Sequence, residues 1–530
     1  MSDPIEDPDA GPERGAGVDG TDAEDPATVE QDSEAVTAED YPAPVRRSVL
    51  RNVGSLAGAQ VITWTLSTIV LVIVPRRVGP EAIGGYRIAG SLWAVAATFI
   101  SLGTGTLITL EVARSQRSGV VRLGPALVAR TVVYAVSWIP LIAFSFAVGY
   151  STEVMILIVI VGAATIFNSY GDLAGAGLTG LERLDLVAAA DIISKVVLAG
   201  LTVLVVIVTD DIRIIASVTI VTAITYAGYS LRALRRLTRI DYERSLRAAV
   251  DTARRSSPYL LIGITRVVYN QIDVVVMSLV VTEVEVGWYG TADSVFGTLL
   301  FVPTILMASL FPVFARTHEE DPKAGIALLQ RSFNGLLLVA VPVGLGIVVV
   351  ADQVAVLLFG EAFDGTGPVL AVFGVVLIFT FLSVLFGNHA VAIGRQRFWN
   401  VVMLVAIPMT VALDLVLIPW TRDTFDNGAI GGALAYVVTE SMMAIIGIWK
   451  LAPQLASRAT LVRVTKCLIA GGVMMAVCWP LREVFVGITI AVGAVVYVVV
   501  LALLRPLDDQ EKEMLGRALS RFRRAPSGGA

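Results

Sequence analysis

The sequence has few groups that require water around them. Charged residues make up only 16% of its 530 residues, whereas a soluble domain carries about 25%. Hydrophobic residues make up 55% of the chain, which is more than a protein core in water needs. The composition therefore excludes an ordinary soluble protein and predicts a chain that lies mostly within a lipid bilayer.

Side chains and motifs that carry catalysis are scarce as well. The chain has two histidines and no match to the Walker A, H-E-x-x-H or G-x-S-x-G patterns. The pattern G-x-G-x-x-G of dinucleotide-binding sites occurs at residues 175–180. It ends a predicted membrane helix and follows no strand there, so close packing of helices explains it better. The sequence therefore predicts no enzyme, no catalytic residue, no cofactor and no metal site.

Negative charge is concentrated at the N-terminus. Residues 1–41 hold fourteen carboxylates and one basic residue, Arg14, for a net charge of −13; the whole chain carries −5, so the remainder carries +8. A segment rich in Asp, Glu, Gly and Pro buries too little apolar surface to fold. Residues 1–45 are therefore predicted to be a disordered acidic cytosolic tail, and they lack the basic and apolar regions of a signal peptide.

Long apolar segments follow this tail along the rest of the chain. A helix that spans a bilayer needs about 20 mostly apolar residues, and fourteen segments meet that requirement. They cover residues 53–75, 84–110, 124–149, 153–178, 186–208, 212–231, 258–282, 287–315, 328–351, 366–393, 398–420, 429–451, 462–481 and 484–504. The predicted fold is all-α: a multi-pass membrane protein with about 14 transmembrane helices.

Basic residues lie mostly on one side of these predicted spans. Thirty-one of the 40 lie in the N-terminal tail, in the even-numbered loops or after the last span, and six lie in or beside the odd-numbered loops. The other three, Arg130, Lys195 and Arg266, fall inside spans. Since cytosolic loops are enriched in Lys and Arg, the pattern places both termini in the cytosol and the protein in the cell membrane.

Two basic stretches have the pattern of helices at a membrane surface. Residues 232–257 join the sixth and seventh spans and carry eight arginines, with Leu246, Val250 and Ala253 at helical spacing. Residues 507–530 place apolar side chains on one side of a helix and arginines on the other. Such segments bind anionic lipid headgroups. Their position beside membrane spans makes nucleic-acid binding the weaker interpretation, so no nucleic acid is expected as a partner.

An internal repeat relates the two halves of the chain. The segments "GGYRIAGSL" at 84–92 and "GWYGTADSV" at 287–295 align without gaps, with an offset of 203 residues. A second match, with an offset of 214 residues, joins the ends of the fourth and tenth spans. Each offset corresponds to six spans, an even number, so the halves are predicted to lie parallel. The predicted domains are an N-lobe at 46–231, a basic linker at 232–257, a C-lobe at 258–452 and a terminal pair of spans at 453–506.

The order of these motifs resembles one family of membrane proteins. "RRSVLRNVGSLAGAQ" enters the first span, "RRVGPEAIGGYRIAGSL" follows it, and "YNQIDVVVMSLVVTEVEVGWYGTADSV" comes six spans later. Together they resemble the oligosaccharide flippases, the Wzx-like polysaccharide-biosynthesis proteins of the multidrug/oligosaccharidyl-lipid/polysaccharide exporter superfamily. The resemblance implies a cavity between two lobes that opens alternately to each side and moves an isoprenoid-linked sugar across the bilayer. The residues to which it extends are Asn270, Asp273, Gly287 and Tyr289.

Polar residues inside the apolar spans mark the candidate substrate pathway. On a helix Arg266, Asn270 and Asp273 fall on one face, and Arg130 and Glu440 lie deep in other spans. A charge that faces lipid at the bilayer centre costs about 2.5–3.5 kcal/mol, so these residues are predicted to line an interior cavity, with salt bridges between helices as the alternative. Arg130 and Arg266 are the candidates for holding a phosphate, because a guanidinium binds phosphate through two parallel hydrogen bonds.

Two other sites receive structural interpretations. Asp191 and Lys195 stand at i and i+4 of one span with the acid first, which predicts a structural ion pair on the helix surface. Asp414 lies near the outer end of its span, where its carboxylate can reach toward the headgroups. Neither site is assigned to the substrate pathway.

The sequence predicts a flippase that moves lipid-linked oligosaccharide for the assembly of surface polysaccharide or glycoprotein. The first alternative is an ion-coupled exporter of drugs or cations from the same superfamily, in which Asp273 and Glu440 would be cation sites. The second is a membrane-embedded glycosyltransferase or polymerase, although the predicted external loops are short. The expected partners are the lipid-linked oligosaccharide, the membrane lipids, and glycosyltransferases or a polymerase of the same pathway.

Overall fold

The structure, a computed structural model, describes residues 43–114, 120–482 and 484–504, and for residues 43–64 it describes the backbone only. The predictions for the acidic tail and for the basic C-terminal segment therefore fall outside the described side chains. By its internal contacts the chain divides in two after residue 53. The packed helices that carry the candidate site belong to the second, larger unit.

Helices account for nearly all of the described residues. Fifteen α-helices occur there: α1 (Ala43–Ser101), α2 (Thr104–Arg114), α3 (Gly124–Val148), α4 (Thr152–Gly180), α5 (Leu184–Val208), α6 (Ile212–Leu237), α7 (Leu246–Val280), α8 (Glu283–Leu299), α9 (Phe301–Glu320), α10 (Pro322–Phe359), α11 (Thr366–Ala392), α12 (Gln396–Phe425), α13 (Ala429–Ile446), α14 (Arg458–Cys478) and α15 (Val486–Leu504). Two short strands accompany them, β1 (Val120–Arg122) and β2 (Arg239–Asp241). The predicted all-α class is confirmed.

Twelve described segments are long and apolar enough to cross a membrane. They correspond one to one to the third through the fourteenth predicted spans, with α8 and the first part of α9 forming the eighth. A bent pair, Thr65–Ser101 and Thr104–Arg114, makes a thirteenth if it is counted as one span, and it contains the second predicted span. The chain is a multi-pass membrane protein. The first predicted span, 53–75, lies largely where only the backbone is described, so the total of fourteen stays a prediction.

Two glycines with positive φ interrupt the first long apolar region. Gly79 has φ +83° within α1, and Pro80 follows it without an N–H group to continue the helical hydrogen bonds. Gly103, with φ +69°, separates α1 from α2. A Cβ at Gly103 would overlap backbone atoms of Ser256 and Leu260 on α7, so the break brings the start of α2 against α7. The sequence predicted an unbroken span at 84–110, because contacts between distant helices are not visible in an apolar run.

The strands β1 and β2 were not predicted from the sequence. They pair in parallel, with Val121 opposite Ile240, and the side chains of Arg122 and Asp241 lie 3.6 Å apart. Each strand has only three residues, and the pairing joins loops more than a hundred residues apart, so neither loop shows strand periodicity by itself. The helical spacing seen in the basic linker is confirmed, because α7 already begins at Leu246.

The two copies of the internal repeat touch at equivalent glycines. A Cβ added to Gly84 would overlap the carbonyl oxygen of Glu283, and a Cβ added to Gly287 would overlap the carbonyl oxygen of Pro80. The offset of 203 residues converts one contact into the other, as at an interface with two-fold symmetry. This contact joins the two copies at the start of the second predicted span and of α8, and the parallel arrangement of the whole halves stays a prediction.

Burial differs sharply among the membrane helices. In the most apolar stretch of α11, 67% of the residues are buried inside the protein, but in that of α3 only 11% are. A membrane helix with few buried residues exposes its side chains to lipid. The C-terminal half is therefore packed around α11, whereas α3 lies at the surface that faces the membrane.

Candidate functional site

A polar pocket of about 440 Å³ lies among α1, α2, α3, α4 and α7. Its polar lining includes Arg130 from α3, Asn168 and Asp172 from α4, and Tyr259 from α7. Gly263, one turn beyond Tyr259, also lines it. Ionisable side chains on membrane helices that converge on one pocket mark a candidate binding site, because lipid does not solvate them.

Arg130 is fixed at this pocket by hydrogen bonds to its neighbours. Its side chain is 2% exposed. The Nε group donates to Oγ1 of Thr104 at 2.8 Å, and Nη1 donates to Oγ of Ser169 at 3.2 Å and to the carbonyl oxygen of the same residue. Thr104 begins α2 directly after the break at Gly103, so that break places one of the partners of Arg130.

The remaining terminal nitrogen of Arg130 is Nη2, and Arg130 lines the pocket. It makes no hydrogen bond to any described residue, and a Cβ at Gly105, another residue of the pocket lining, would stand 3.8 Å from it. Asp172 interacts with Arg130 through its charge but accepts its hydrogen bond from the hydroxyl of Tyr226, at 3.2 Å. Arg130 is therefore a pre-oriented cation with one donor group available to an anionic ligand.

Tyr259, Gly263, Arg266 and Asn270 form one stripe along α7, called the polar stripe here, and its last two residues lie beyond this pocket. Arg266 follows Gly263 and Tyr259 at i+3 and i+7, so it stands on the same face. Both Arg266 and Asn270 are exposed, and neither forms a hydrogen bond or ion pair with the described side chains or backbone. The stripe therefore offers a second cation, Arg266, next to the pocket that holds Arg130.

Asp273 does not share the surroundings of Arg266 and Asn270. It is 5% exposed and turned into the C-terminal half, where Oδ2 accepts a hydrogen bond from the hydroxyl of Tyr289 at 2.9 Å. The carboxyl group of Asp414, on α12, is a close neighbour of Asp273, but no hydrogen bond joins the two groups. Asp414 is 0% exposed, so its predicted reach toward the headgroups is wrong, because α12 packs that residue against α7.

Glu440 completes this group of buried carboxyls. It is 2% exposed, and its Oε1 accepts from the hydroxyl of Tyr269 at 2.9 Å. Four carboxyl oxygens have no hydrogen-bond partner among the described residues: one on Asp273, both on Asp414 and one on Glu440. No described Lys or Arg forms an ion pair with any of the three. Since an uncompensated buried anion is very unfavourable, this carboxyl cluster can act by taking up and releasing a proton.

The predicted pathway residues thus fall into two groups. Arg130 and Arg266 lie at or beside the polar pocket, with Asn270 one turn further along α7. Asp273 and Glu440 lie in the carboxyl cluster. The proximity of Asp414 to Asp273 was not predicted, because no pattern in the sequence indicates that these two distant residues lie close together.

Asp191 and Lys195 lie one turn apart on α5, as predicted, but the structure has no ion pair between them. Within the described residues, neither side chain has an oppositely charged group within 4.0 Å. An i, i+4 pair contributes only about 0.3–0.5 kcal/mol, which is too little to hold two flexible side chains together. The predicted structural pair is therefore not formed in this conformation.

Arg87 is a further polar residue at the contact between the repeats. Its guanidinium lies 3.6 Å from the carboxylate of Asp293, and it donates to the backbone carbonyl of Gly290 and to Ser294. The repeat alignment contained a signal for this contact. Position 87 corresponds to position 290, and a large residue in one copy faces a glycine in the other.

The family profile described as "Polysaccharide biosynthesis protein" matches residues 49–318. This match covers just over half of the chain. The chain belongs to the polysaccharide biosynthesis protein family. The matched residues contain both copies of the first repeat motif, Arg130 and the whole polar stripe of α7.

One curated relative and two solved structures are also similar to this chain. A protein of Haloferax volcanii named "Probable low-salt glycan biosynthesis flippase Agl15" is 19% identical over 251 residues, which are 46% of this chain and 52% of that protein. The chain therefore spans about half the length of this curated relative in the alignment.

Two solved structures share the fold of this polysaccharide biosynthesis protein. The lipid II flippase MurJ in an inward closed conformation superposes with a TM-score of 0.67 and 13% identity, covering 84% of this chain and 98% of that one. An inward-facing multidrug resistance MATE family transporter of the MOP superfamily superposes with a TM-score of 0.57 and 15% sequence identity. The superposition covers 75% of this chain and 96% of that one. At these identities the likeness shows the fold alone.

Proposed function

We propose that this protein is a flippase, which moves an oligosaccharide linked to an isoprenoid phosphate across the cell membrane for the assembly of surface glycans. Its family, a curated relative named as a glycan biosynthesis flippase and the fold shared with a lipid II flippase support the proposal. The single observation that carries it is the polar pocket with Arg130 at its wall and Arg266 beside it.

The two arginines suit the charged junction of such a substrate. A lipid-linked sugar has a phosphate or diphosphate between its polar and apolar parts, and arginine binds this group with fixed donor geometry. Arg130 offers Nη2 from a rigid position, and Arg266 is exposed and has no described partner. The sugar then occupies the polar pocket, while the isoprenoid chain remains in lipid.

Transport follows from rocking of the two repeat-related halves. The close backbone contact of Gly84 and Gly287 joins the halves within α1, while the polar pocket lies further along α1, between Gly90 and the end of the helix at Ser101. Opening this contact and closing the opposite end presents the same site to the other face of the membrane. Binding of substrate favours the conformation to which it binds better.

The buried carboxyl cluster specifically favours a second candidate, an ion-coupled exporter. Asp273, Asp414 and Glu440 bring three acidic groups together with no described cation to neutralise them. In the flippase the same cluster supplies the driving force by binding a proton in one conformation. In an exporter of drugs or cations it would be the substrate site itself.

Reconstitution in liposomes distinguishes these functions. The purified protein should move a labelled isoprenoid-diphosphate oligosaccharide between leaflets, measured as its accessibility to a membrane-impermeant glycosidase, while liposomes without protein should not. Efflux of a cationic dye under an imposed proton or sodium gradient, without glycan movement, would establish the exporter. A change in glycan mass would instead establish the glycosyltransferase or polymerase.

The proposed orientation places both termini and the loop before α7 in the cytosol. A cysteine introduced as Arg247→Cys should therefore not react with a membrane-impermeant thiol reagent in intact cells, but should react after permeabilisation. Arg77→Cys, predicted to lie outside, should react without permeabilisation. The native Cys467 and Cys478 are buried, so the background should be low. Labelling of Arg247→Cys in intact cells would reverse the orientation.

A further inference from the structure

A second cavity, of about 670 Å³, lies between α3, α4 and α6. Its lining is mostly apolar: Leu127 and Val132 of α3, Phe167 of α4, and Ile224 of α6 are among its residues. Two hydroxyls of the lining, those of Thr131 and Tyr170, hydrogen-bond each other at 2.7 Å. This groove therefore presents hydrocarbon to whatever occupies it, and its volume lies within the range of about 300–1,000 Å³ typical of ligand sites.

One end of the groove is a polar mouth formed by Tyr242 and Arg244. Arg244 is exposed, and within the described part of the chain no hydrogen bond or ion pair engages its side chain. The ring of Tyr242 lies 5.3 Å from the guanidinium carbon of Arg235, whose Nε donates to the tyrosine hydroxyl at 2.7 Å. Two arginines thus stand where the apolar groove opens.

The mouth is held in place by the backbone rather than by flexible side chains. The N–H group of Leu123 donates to the carbonyl oxygen of Asp241 at 3.2 Å, which continues the pairing of β1 with β2. A Cβ at Gly124 would overlap the backbone of Tyr242 and Glu243, so this loop packs directly on the start of α3. Tyr242 and Arg244 are therefore presented at a fixed position relative to the groove.

The groove lies on the opposite face of α3 and α4 from the polar pocket. Arg130 lines the pocket, whereas the next residue, Thr131, lines the groove; on α4, Asn168 lines the pocket and Phe167 the groove. A lipid with its headgroup at Arg244 therefore keeps that headgroup at the membrane surface, separated by two helices from the pocket.

The dimensions of the groove match one lipid chain in one leaflet. From Gly124 to Val132 it follows eight residues of α3, about 12 Å along the axis. Half of the hydrocarbon core of a bilayer is about 15 Å thick. A chain that starts at Arg244 can therefore lie along the groove within its own leaflet, and few residues of α3 are buried by protein.

We propose that this groove is a binding site for one anionic phospholipid, with an acyl chain between α3 and α6 and the phosphate at Arg244. Charge selects the occupant: a headgroup with net negative charge gains from the two arginines at the mouth, whereas a zwitterionic headgroup carries its own cation. The site differs from the general attraction of basic loops to membranes, because it requires both the groove and the particular arginine at its mouth.

Native mass spectrometry of the protein taken from bilayers of phosphatidylglycerol and phosphatidylcholine tests this site. The wild-type protein should retain one phosphatidylglycerol in preference to phosphatidylcholine. Gly228→Phe should fill the groove, since a Cβ at Gly228 meets no atom within 4 Å, and Arg244→Gln should remove the phosphate contact. Each should lower the retained fraction by about tenfold or more.

Two matched variants serve as controls. Gly200→Phe adds the same ring to an equally open glycine on α5, and Arg247→Gln removes an exposed arginine three residues from Arg244 that does not line the groove. Both should retain the lipid as the wild type does. The proposal would be overturned if Arg247→Gln and Arg244→Gln lost phosphatidylglycerol equally. It would also be overturned if the wild type retained phosphatidylcholine as well as phosphatidylglycerol. Displacement of phosphatidylglycerol by a lipid-linked oligosaccharide would assign the groove to the substrate instead.

Discussion

Replacing Gly84 or Gly287 with valine should strongly reduce transport while leaving the protein inserted in the membrane. A Cβ at either position overlaps backbone carbonyl atoms of the other repeat, and backbone atoms cannot rotate away as a side chain does. Overpacking a close contact costs about 1–3 kcal/mol, and here the cost falls only on the conformation in which the two repeats touch. The equilibrium between conformations should shift by about 5- to 150-fold, and glycan movement in liposomes should fall accordingly.

Gly297→Val is the matched control for this prediction. Gly297 lies on α8, as Gly287 does, but a Cβ there meets no atom within 4 Å. It should transport as the wild type does. In the Gly287→Val background, Ser294→Cys should become more reactive toward an impermeant reagent added outside, because Ser294 lies beside Arg87 at the repeat contact. Normal transport by Gly84→Val and Gly287→Val would show that this contact is not part of the cycle.

The repeat is the part of the fold that the sequence specified in most detail. Its gapless offset of 203 residues predicted equivalent positions, and in the structure the contact from Gly84 to Glu283 becomes that from Gly287 to Pro80 under the same offset. Apolar run length also predicted the membrane segments from α3 onward. Apolar run length depends on local composition, and the repeat depends on similarity within the chain. A single sequence contains both kinds of information.

Contacts between unlike segments could not be predicted in this way. Asp273 and Asp414 are close in space, yet α7 and α12 show no pattern that pairs them, and helical position alone placed Asp414 toward the headgroups. The same limit applies to Arg130: depth in a span identified it as buried, but its bonds to Thr104 and Ser169 depend on the break at Gly103. The sequence therefore identified the charged residues inside the spans but not the residues that contact them.

The sequence places Arg266 and Asp273 on one face of α7, so they could act together. The structure assigns them different surroundings. Arg266 and Asp273 are seven residues apart, about 10.5 Å along the helix. Asp273 accepts a hydrogen bond from Tyr289, with Asp414 nearby, and does not pair with Arg266. Asp273 therefore does not position Arg266. The phosphate and the coupling ion are expected to bind at different places, which allows each to be removed without the other.

Arg266→Ala should reduce flipping of the lipid-linked oligosaccharide by at least about tenfold, since a hydrogen-bonded contact to a charged group contributes about 1.5–3 kcal/mol. Arg266→Lys should restore only part of the rate, because lysine keeps the charge but loses the paired donors. Arg77→Ala, which removes an exposed arginine outside the pathway, should have little effect. Wild-type flipping by Arg266→Ala would contradict the role assigned to this residue in binding the phosphate.

Asp273→Asn and Asp414→Asn should show the complementary pattern. Each removes an ionisable group from the buried pair, so glycan movement should lose its response to an imposed proton or sodium gradient, while thermal stability should stay equal or rise because a buried charge is removed. Both variants should still bind the labelled glycan as the wild type does, and Arg266→Ala should not. If the protein is an exporter, Asp273→Asn should instead abolish dye efflux and Arg266→Ala should leave it intact. Loss of transport by Arg266→Ala and by Asp273→Asn should be measured in the same liposomes. The ratio of these two losses decides whether the arginine or the carboxyl cluster holds the transported molecule.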